Sequence, residues 1–140
     1  MKHFLLILVL APIFVFSSKL IELQLKTQNA PNAGMDLEGN LGFDICSASQ
    51  CCYLYLMDYP YNQYVKGRIE GFTEGQLQEC QHFPIPDGNV TELKITHSGI
   101  DAWLGEYIRL LMDNGIYYHC PINDWLDNAE HMYLDCKIGQ

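Results

Sequence analysis

The sequence is poor in positive charge. Eight Lys and Arg stand against 17 Asp and Glu in 140 residues, a net charge of −9. Nucleic acids and anionic lipid surfaces are held by basic patches, so this balance argues against a nucleic-acid partner and against unassisted electrostatic adhesion to a membrane. Beyond the first eighteen residues no apolar run approaches the roughly 20 residues that a spanning helix needs. Internal repeats, low-complexity tracts and any long helical periodicity are also missing. Catalytic signatures are missing as well: the chain has no Gly-x-Ser-x-Gly, no His-Glu-x-x-His and no glycine-rich phosphate loop. The expectation is a protein that binds rather than catalyses.

What is present begins with an export signal. Met1 to Ser18 reads as a secretory signal peptide: Lys2 and His3 form the charged end, Phe4 to Phe16 is almost continuously apolar, and Ser17-Ser18 supplies small residues for cleavage. Residues 19–140 then form one domain, with a net charge of −10 once Lys2 is removed. All six cysteines lie in it: Cys46, Cys51, Cys52, Cys80, Cys120 and Cys136. An even number behind a signal peptide implies three disulfides, chosen from 15 connectivities. No repeated Cys-x-x-Cys and no neighbouring His at ligand spacing points to zinc instead. Cys120 and Cys136 fall on two late strands and are expected to pair. Cys51 and Cys52 point to opposite faces of one strand, so Cys80 takes one of them. Cys46 is left with the other, unless the set is rearranged. Cys51-Cys52 also invites comparison with secreted phospholipases, but no His-Asp pair follows to activate a water.

Period-two alternation dominates the rest. Leu93, Ile95 and His97 alternate with Glu92, Lys94 and Thr96, the pattern of a half-buried strand. After Ser98-Gly99 and Trp103, a second strand runs from Glu106 to Asp113, with Ile108, Leu110 and Met112 on one side and Tyr107, Arg109 and Leu111 on the other. Asp113-Asn114-Gly115 is a strong hairpin signal, and Ile116 to Cys120 is the returning strand. Earlier strands are expected at Leu20–Lys26, Leu41–Cys46 and Cys51–Met57, with a short irregular one in Tyr64–Phe72. Thr73 to Asp87 reads as loop or edge, because Pro84 and Pro86 block a central strand. Pro121 to Asn128 reads as a loop or one helical turn, and His131 to Lys137 as the last strand. Seven or eight short strands with short links predict an all-β antiparallel sandwich.

The order of motifs resembles a PLAT domain (polycystin, lipoxygenase, alpha-toxin). Leu23-Gln24-Leu25-Lys26-Thr27 followed by Ala33-Gly34-Met35-Asp36 is similar to that family's opening strand, threonine and Ala-Gly-Thr-Asp loop. Lys66-Gly67-Arg68-Ile69-Glu70-Gly71-Phe72 is similar to its segment of glycine, acidic residue and phenylalanine. Leu93-Lys94-Ile95-Thr96-His97, then Trp103, then Tyr107-Ile108-Arg109-Leu110 is similar to its strand, buried tryptophan and strand. Met35, Gly105-Glu106 and the six cysteines depart from the pattern, which describes a small secreted, disulfide-stapled relative. The resemblance implies a β-sandwich, a calcium-binding loop and docking to membranes.

Several residues are candidates for function. Asp36, Glu38 and Asn40 form an oxygen-rich loop of the kind Ca²⁺ takes. Tyr59 and Tyr61, in an aromatic loop, and Trp125, flanked by Asp124, Asp127 and Asn128, are candidates for a membrane or partner contact. Asn89-Val90-Thr91 is an N-glycosylation acceptor sequence. Trp103 is expected in the core, and His97 as a hydrogen-bonded structural group. These features describe a secreted module docking to membrane lipid or a membrane-associated protein, with Ca²⁺ assisting. The alternatives are a secreted effector, such as a venom or defence component, binding an extracellular protein target, and an extracellular structural protein.

Overall fold

The computed structural model describes residues 18–34, 39–57, 64–73, 76–77, 80 and 89–139. Asp36, Glu38, Tyr59, Tyr61, Pro84, Pro86 and residues 1–17 lie outside them. Nine strands form among the described residues: β1 (Leu20–Thr27), β2 (Asn40–Cys46), β3 (Cys51–Met57), β4 (Ile69–Phe72), β5 (Glu92–Ser98), β6 (Trp103–Met112), β7 (Tyr117–Leu126), β8 (His131–Leu134) and β9 (Lys137–Ile138). They make two antiparallel sheets, one ordered β4-β1-β6-β7-β9 and the other β3-β2-β5-β8. The chain passes repeatedly from one sheet to the other, and only the β2–β3 and β6–β7 hairpins stay within a sheet.

The alternation seen in the sequence defines the inner faces. Leu23 and Leu25 of β1, with Ile108, Leu110 and Met112 of β6, are fully buried against Leu41, Phe43 and Ile45 of β2 and Leu93 and Ile95 of β5. A side-chain period of two puts every second residue of each strand into this layer, and its burial is the main favourable term in folding. Trp103 is completely buried; its indole N–H donates to Thr27 Oγ1 at 2.9 Å, and Tyr64 packs edge-on at 6.3 Å. An indole that large needs both space and a polar partner. Thr27 supplies the partner. Gly105 supplies the space, because a Cβ there would lie 2.5 Å from the Trp103 ring. The Gly105 that departs from the PLAT pattern therefore has a packing reason.

Three cystines staple the sandwich. Cys46–Cys51 closes the β2–β3 hairpin, Cys52–Cys80 ties β3 to the segment after β4, and Cys120–Cys136 ties β7 to the link between β8 and β9. Cys51 is exposed and Cys52 buried, as their alternation on one strand requires.

Two segments differ from the sequence expectation. Pro121 to Asn128 is not a loop or a helical turn: β7 continues to Leu126. The reason is that β6 starts at Trp103, three residues before Glu106, and offers backbone for the pairs Trp103–Leu126, Leu104–Trp125 and Gly105–Asp124. Pro121 is tolerated because the β6–β7 register breaks between Gly105 and Tyr107, and because β9 pairs only with Tyr118 and His119, leaving an open edge beyond. The last segment is likewise not one strand. His131–Leu134 pairs with β5, and Lys137–Ile138 crosses to the other sheet and pairs with β7. Cys136 sits at the crossing, bonded to Cys120 of β7.

Candidate functional site

The sandwich has two unlike ends. At one end the links are tight. Cys46 pairs directly with Cys51 across the β2–β3 turn. Asp113-Asn114-Gly115 turns β6 into β7: Gly115 has φ +84°, its N–H donates to Met112 O, and Ile116 N–H donates to Asn114 Oδ1. Ser18 and Lys19 are fastened to the same turn through Asn114 and Asp113.

The opposite end carries Asn40 and Trp125 of the candidate binding residues. β1 leaves it at Thr27, and the Gln28–Gly34 segment is fixed there by two bonds to one residue: Gln28 N–H donates to Leu104 O, and Leu104 N–H donates to Ala33 O, each at 3.0 Å. Gly34 lies against Tyr64, where a Cβ would approach the Tyr64 carbonyl oxygen to 2.9 Å. This is the root from which the chain runs toward Asp36. It returns at Gly39, against which Gly99 packs so closely that a Cβ on Gly99 would meet Gly39 Cα at 2.8 Å. Asn40 then enters β2, in register with Met57 and Ser98. Met57, the last residue of β3, lies at this end.

Trp125 lies at the same end, paired with Leu104. Its side chain is 44% exposed. It lines a shallow groove of about 460 Å³ with Asp124, Leu126, Ala129, Glu130, His131 and Met132. The β7–β8 turn that forms the groove wall is held by its own polar groups. Asp127 N–H donates to Glu130 Oε2 at 2.9 Å, Glu130 N–H to Asp127 O at 3.1 Å, and Gly99 N–H to Asn128 Oδ1 at 3.3 Å. The turn places Ala129 at φ +60°. A non-glycine residue held there is uncommon and carries backbone strain.

The other sequence candidates fall elsewhere. His97 is buried on the inner face of β5, with its backbone bonded to Glu130 O and Ala129 N–H. Asn89 is exposed just before β5, while Val90 is buried and Thr91 bonds the Cys46 carbonyl through both its N–H and its hydroxyl. Among the described residues no group of His, Cys, Asp or Glu is arranged to hold a metal ion. Of the three calcium candidates only Asn40 is described. The sequence reading singled out neither outer sheet face as a site. Tyr53, Tyr55 and Tyr133, 52, 51 and 60% exposed, lie outward on the four-stranded sheet. The alternation Tyr53-Leu54-Tyr55-Leu56 carried that signal.

No protein-family model matches the sequence, and no curated protein matches it. Solved structures do. A lipoxygenase variant matches with TM-score 0.66 and 16% identity, over 86% of this chain and 16% of its own. The alpha-toxin of Clostridium absonum matches with TM-score 0.65 and 18% identity, over 91% of this chain and 34% of its own. A lipoxygenase variant in complex with arachidonate gives TM-score 0.64 and 15% identity, over 87% and 17%. The chain thus spans about a sixth of the lipoxygenases and a third of the toxin. It has the PLAT-like β-sandwich fold. Three disulfides in so small a domain are the pattern of an oxidising, extracellular compartment.

Proposed function

We propose that this chain is a secreted, non-catalytic binding module that docks on a lipid surface, or on a membrane-associated protein, with Ca²⁺ assisting through Asp36, Glu38 and Asn40. The observation that supports it is the gathering, at one end of the sandwich, of the half-exposed Trp125 and the roots of the segments bearing Asp36 and Tyr59. An indole with an apolar body and a polar edge suits a membrane interface. The acidic chain needs a bridging cation to approach anionic headgroups, and Asp36, Glu38 and Asn40 are the oxygen ligands it has for one. The export signal is then the N-terminal segment that ends at about Ser18, and Asn89 is the glycosylation site, away from the docking end.

Co-sedimentation with phosphatidylcholine–phosphatidylserine vesicles, in Ca²⁺ and in chelator, tests the reading. Binding should require Ca²⁺, fall about tenfold in Trp125→Ala, and lose its Ca²⁺ dependence in Asp36→Ala. No binding in either condition overturns it. The effector reading, a protein target met through the surface, is then favoured by the exposed Tyr53, Tyr55 and Tyr133, a residue type enriched at protein interfaces.

A further inference from the structure

The outer face of the five-stranded sheet carries one arginine that the fold does not neutralise. The described cations of the strands mostly have carboxylate partners: Lys26 meets Glu106 at 3.1 Å, Lys94 meets Asp44 at 3.9 Å, Lys137 meets Asp135 at 4.0 Å, and Arg68 meets Glu70. Arg109, half-buried in the middle of β6, has none among the described residues. Its guanidinium lies over the Tyr107 ring, 4.6 Å from the centroid, and its Nε–H donates to His119 Nδ1 at 3.3 Å. The ring and the imidazole hold the guanidinium in place, and neither carries a negative charge to offset it. Carboxylates on this face are engaged elsewhere. Glu106 serves Lys26. Glu22 accepts from the Gln24 amide at 2.8 Å and lies toward β4, close enough to Gly71 that a Cβ there would sit 3.0 Å from its carboxylate. In a chain of net charge −9, a half-buried guanidinium without a carboxylate is unexpected.

That guanidinium opens onto a pocket of about 210 Å³, lined by Gln24, Arg109, Leu111 and Tyr117. With Nε occupied by His119, the terminal Nη1 and Nη2 groups remain as a planar fork. Such a fork matches two oxygens of one oxyanion, and charge-assisted pairs of this kind are about twice as strong as neutral hydrogen bonds. A second cation, Lys137, stands two strands from Arg109, beyond His119 and outside the pocket lining. The register runs Gln24, Arg109, His119, Lys137 across β1, β6, β7 and β9. Lys137 and its partner Asp135 are both almost fully exposed, and an ion pair in that setting holds its lysine weakly. Lys137 is therefore available to a ligand that carries a second negative charge.

We propose that this pocket is a phosphate-binding site, with Arg109 as the fork, Lys137 as the second charge, and Leu111 and Tyr117 as the wall for whatever bears the phosphate. The phosphate can belong to a free small molecule or to a lipid headgroup. The site is independent of docking through Trp125, which lies six residues further along β7, a distance of about 20 Å in an extended strand.

NMR of the ¹⁵N-labelled, oxidised protein tests it, with sodium phosphate titrated against sodium chloride at matched ionic strength and fixed pH. The Arg109 Nε–H and the His119 ring, which share a hydrogen bond, should shift saturably with phosphate and not with chloride. In Arg109→Gln the apparent affinity should fall at least tenfold, with the Trp103 indole N–H resonance unmoved as proof of fold. Lys137→Ala, an exposed change that leaves folding intact, should weaken binding severalfold and serves if Arg109→Gln does not fold. Vesicles of phosphatidic acid and of phosphatidylcholine then separate the sources. Capture by phosphatidic acid that free phosphate competes away supports the site and assigns the lipid headgroup, and phosphate binding without vesicle capture supports it and assigns a soluble ligand. Absence of a saturable phosphate response in the wild type overturns the proposal, as does a response unchanged in Arg109→Gln and Lys137→Ala. Loss of vesicle binding through Trp125 with phosphate binding intact sinks only the docking reading.

Discussion

The two ends of this sandwich are built by opposite means. The end bearing the Cys46–Cys51 and Asp113–Gly115 turns is closed by a cystine, a positive-φ glycine and hydrogen bonds of the turns themselves. The other end is held from beneath. Trp103 and Thr27 lock β6 to β1, Leu104 pins the Gln28–Ala33 segment, and Gly99 fastens the β7–β8 turn through Asn128. At this end lie the exposed Trp125 and a left-handed Ala129. One end spends its residues on turning the chain, and the other holds residues outward. Loops on a rigid scaffold are where binding residues concentrate, and the proposed docking uses the second end.

The comparison can be broken most severely at Trp103. Trp103→Ala removes the anchor of the open end and leaves the buried Thr27 hydroxyl without its donor. It should cost about 3–5 kcal/mol, read as a fall in the urea midpoint, and the variant is expected to be close to unfolding. Removing the cystine that ties β7 to the β8–β9 link, by Cys120→Ser with Cys136→Ser, should cost ~3 kcal/mol for a loop closed over 16 residues. Cys46→Ser with Cys51→Ser should cost less, because the closed loop is only five residues apart in sequence. Gly105→Ala forces a methyl group into the Trp103 ring and should cost about 1–3 kcal/mol, while Gly115→Ala meets no side chain and pays only for its positive φ, about 1 kcal/mol. Smallest of all, Trp125→Ala should leave stability within ~0.5 kcal/mol while weakening vesicle binding. A Trp125→Ala variant as unstable as Trp103→Ala would erase the distinction between anchor and contact.

Much of this was legible in the residues. β1, β3 and β5 follow directly from alternation, because each has one buried and one wet face. The Asn114-Gly115 turn is equally plain, since positive φ favours glycine and asparagine. The far half of β7 was not legible. Pro121, Asn123 and Asp124 read as turn chemistry, and only the early start of β6 at Trp103 provides the partner that makes them a strand. The split of His131–Ile138 between two sheets was hidden too, because Met132, Leu134 and Cys136 keep alternating through the crossing and the deciding constraint is the bond to Cys120. At the candidate site, Trp125 is visible as a residue type, but its pairing with the Leu104 that also pins Gln28 and Ala33 is a tertiary fact. Arg109 shows the same limit. Its outward face is readable, whereas the missing carboxylate partner appears only once β1, β6 and β7 lie side by side.

Hydrogen–deuterium exchange of the oxidised protein, with and without calcium-loaded phosphatidylserine vesicles, tests the polarity of the molecule most directly. The account predicts new protection in peptides covering Ser98–Asp101 and Asp124–Glu130, and none in those covering Cys46–Cys51 and Met112–Tyr117. Protection at the cystine-closed end, or vesicle capture that leaves the Trp125 peptides unchanged, would contradict it.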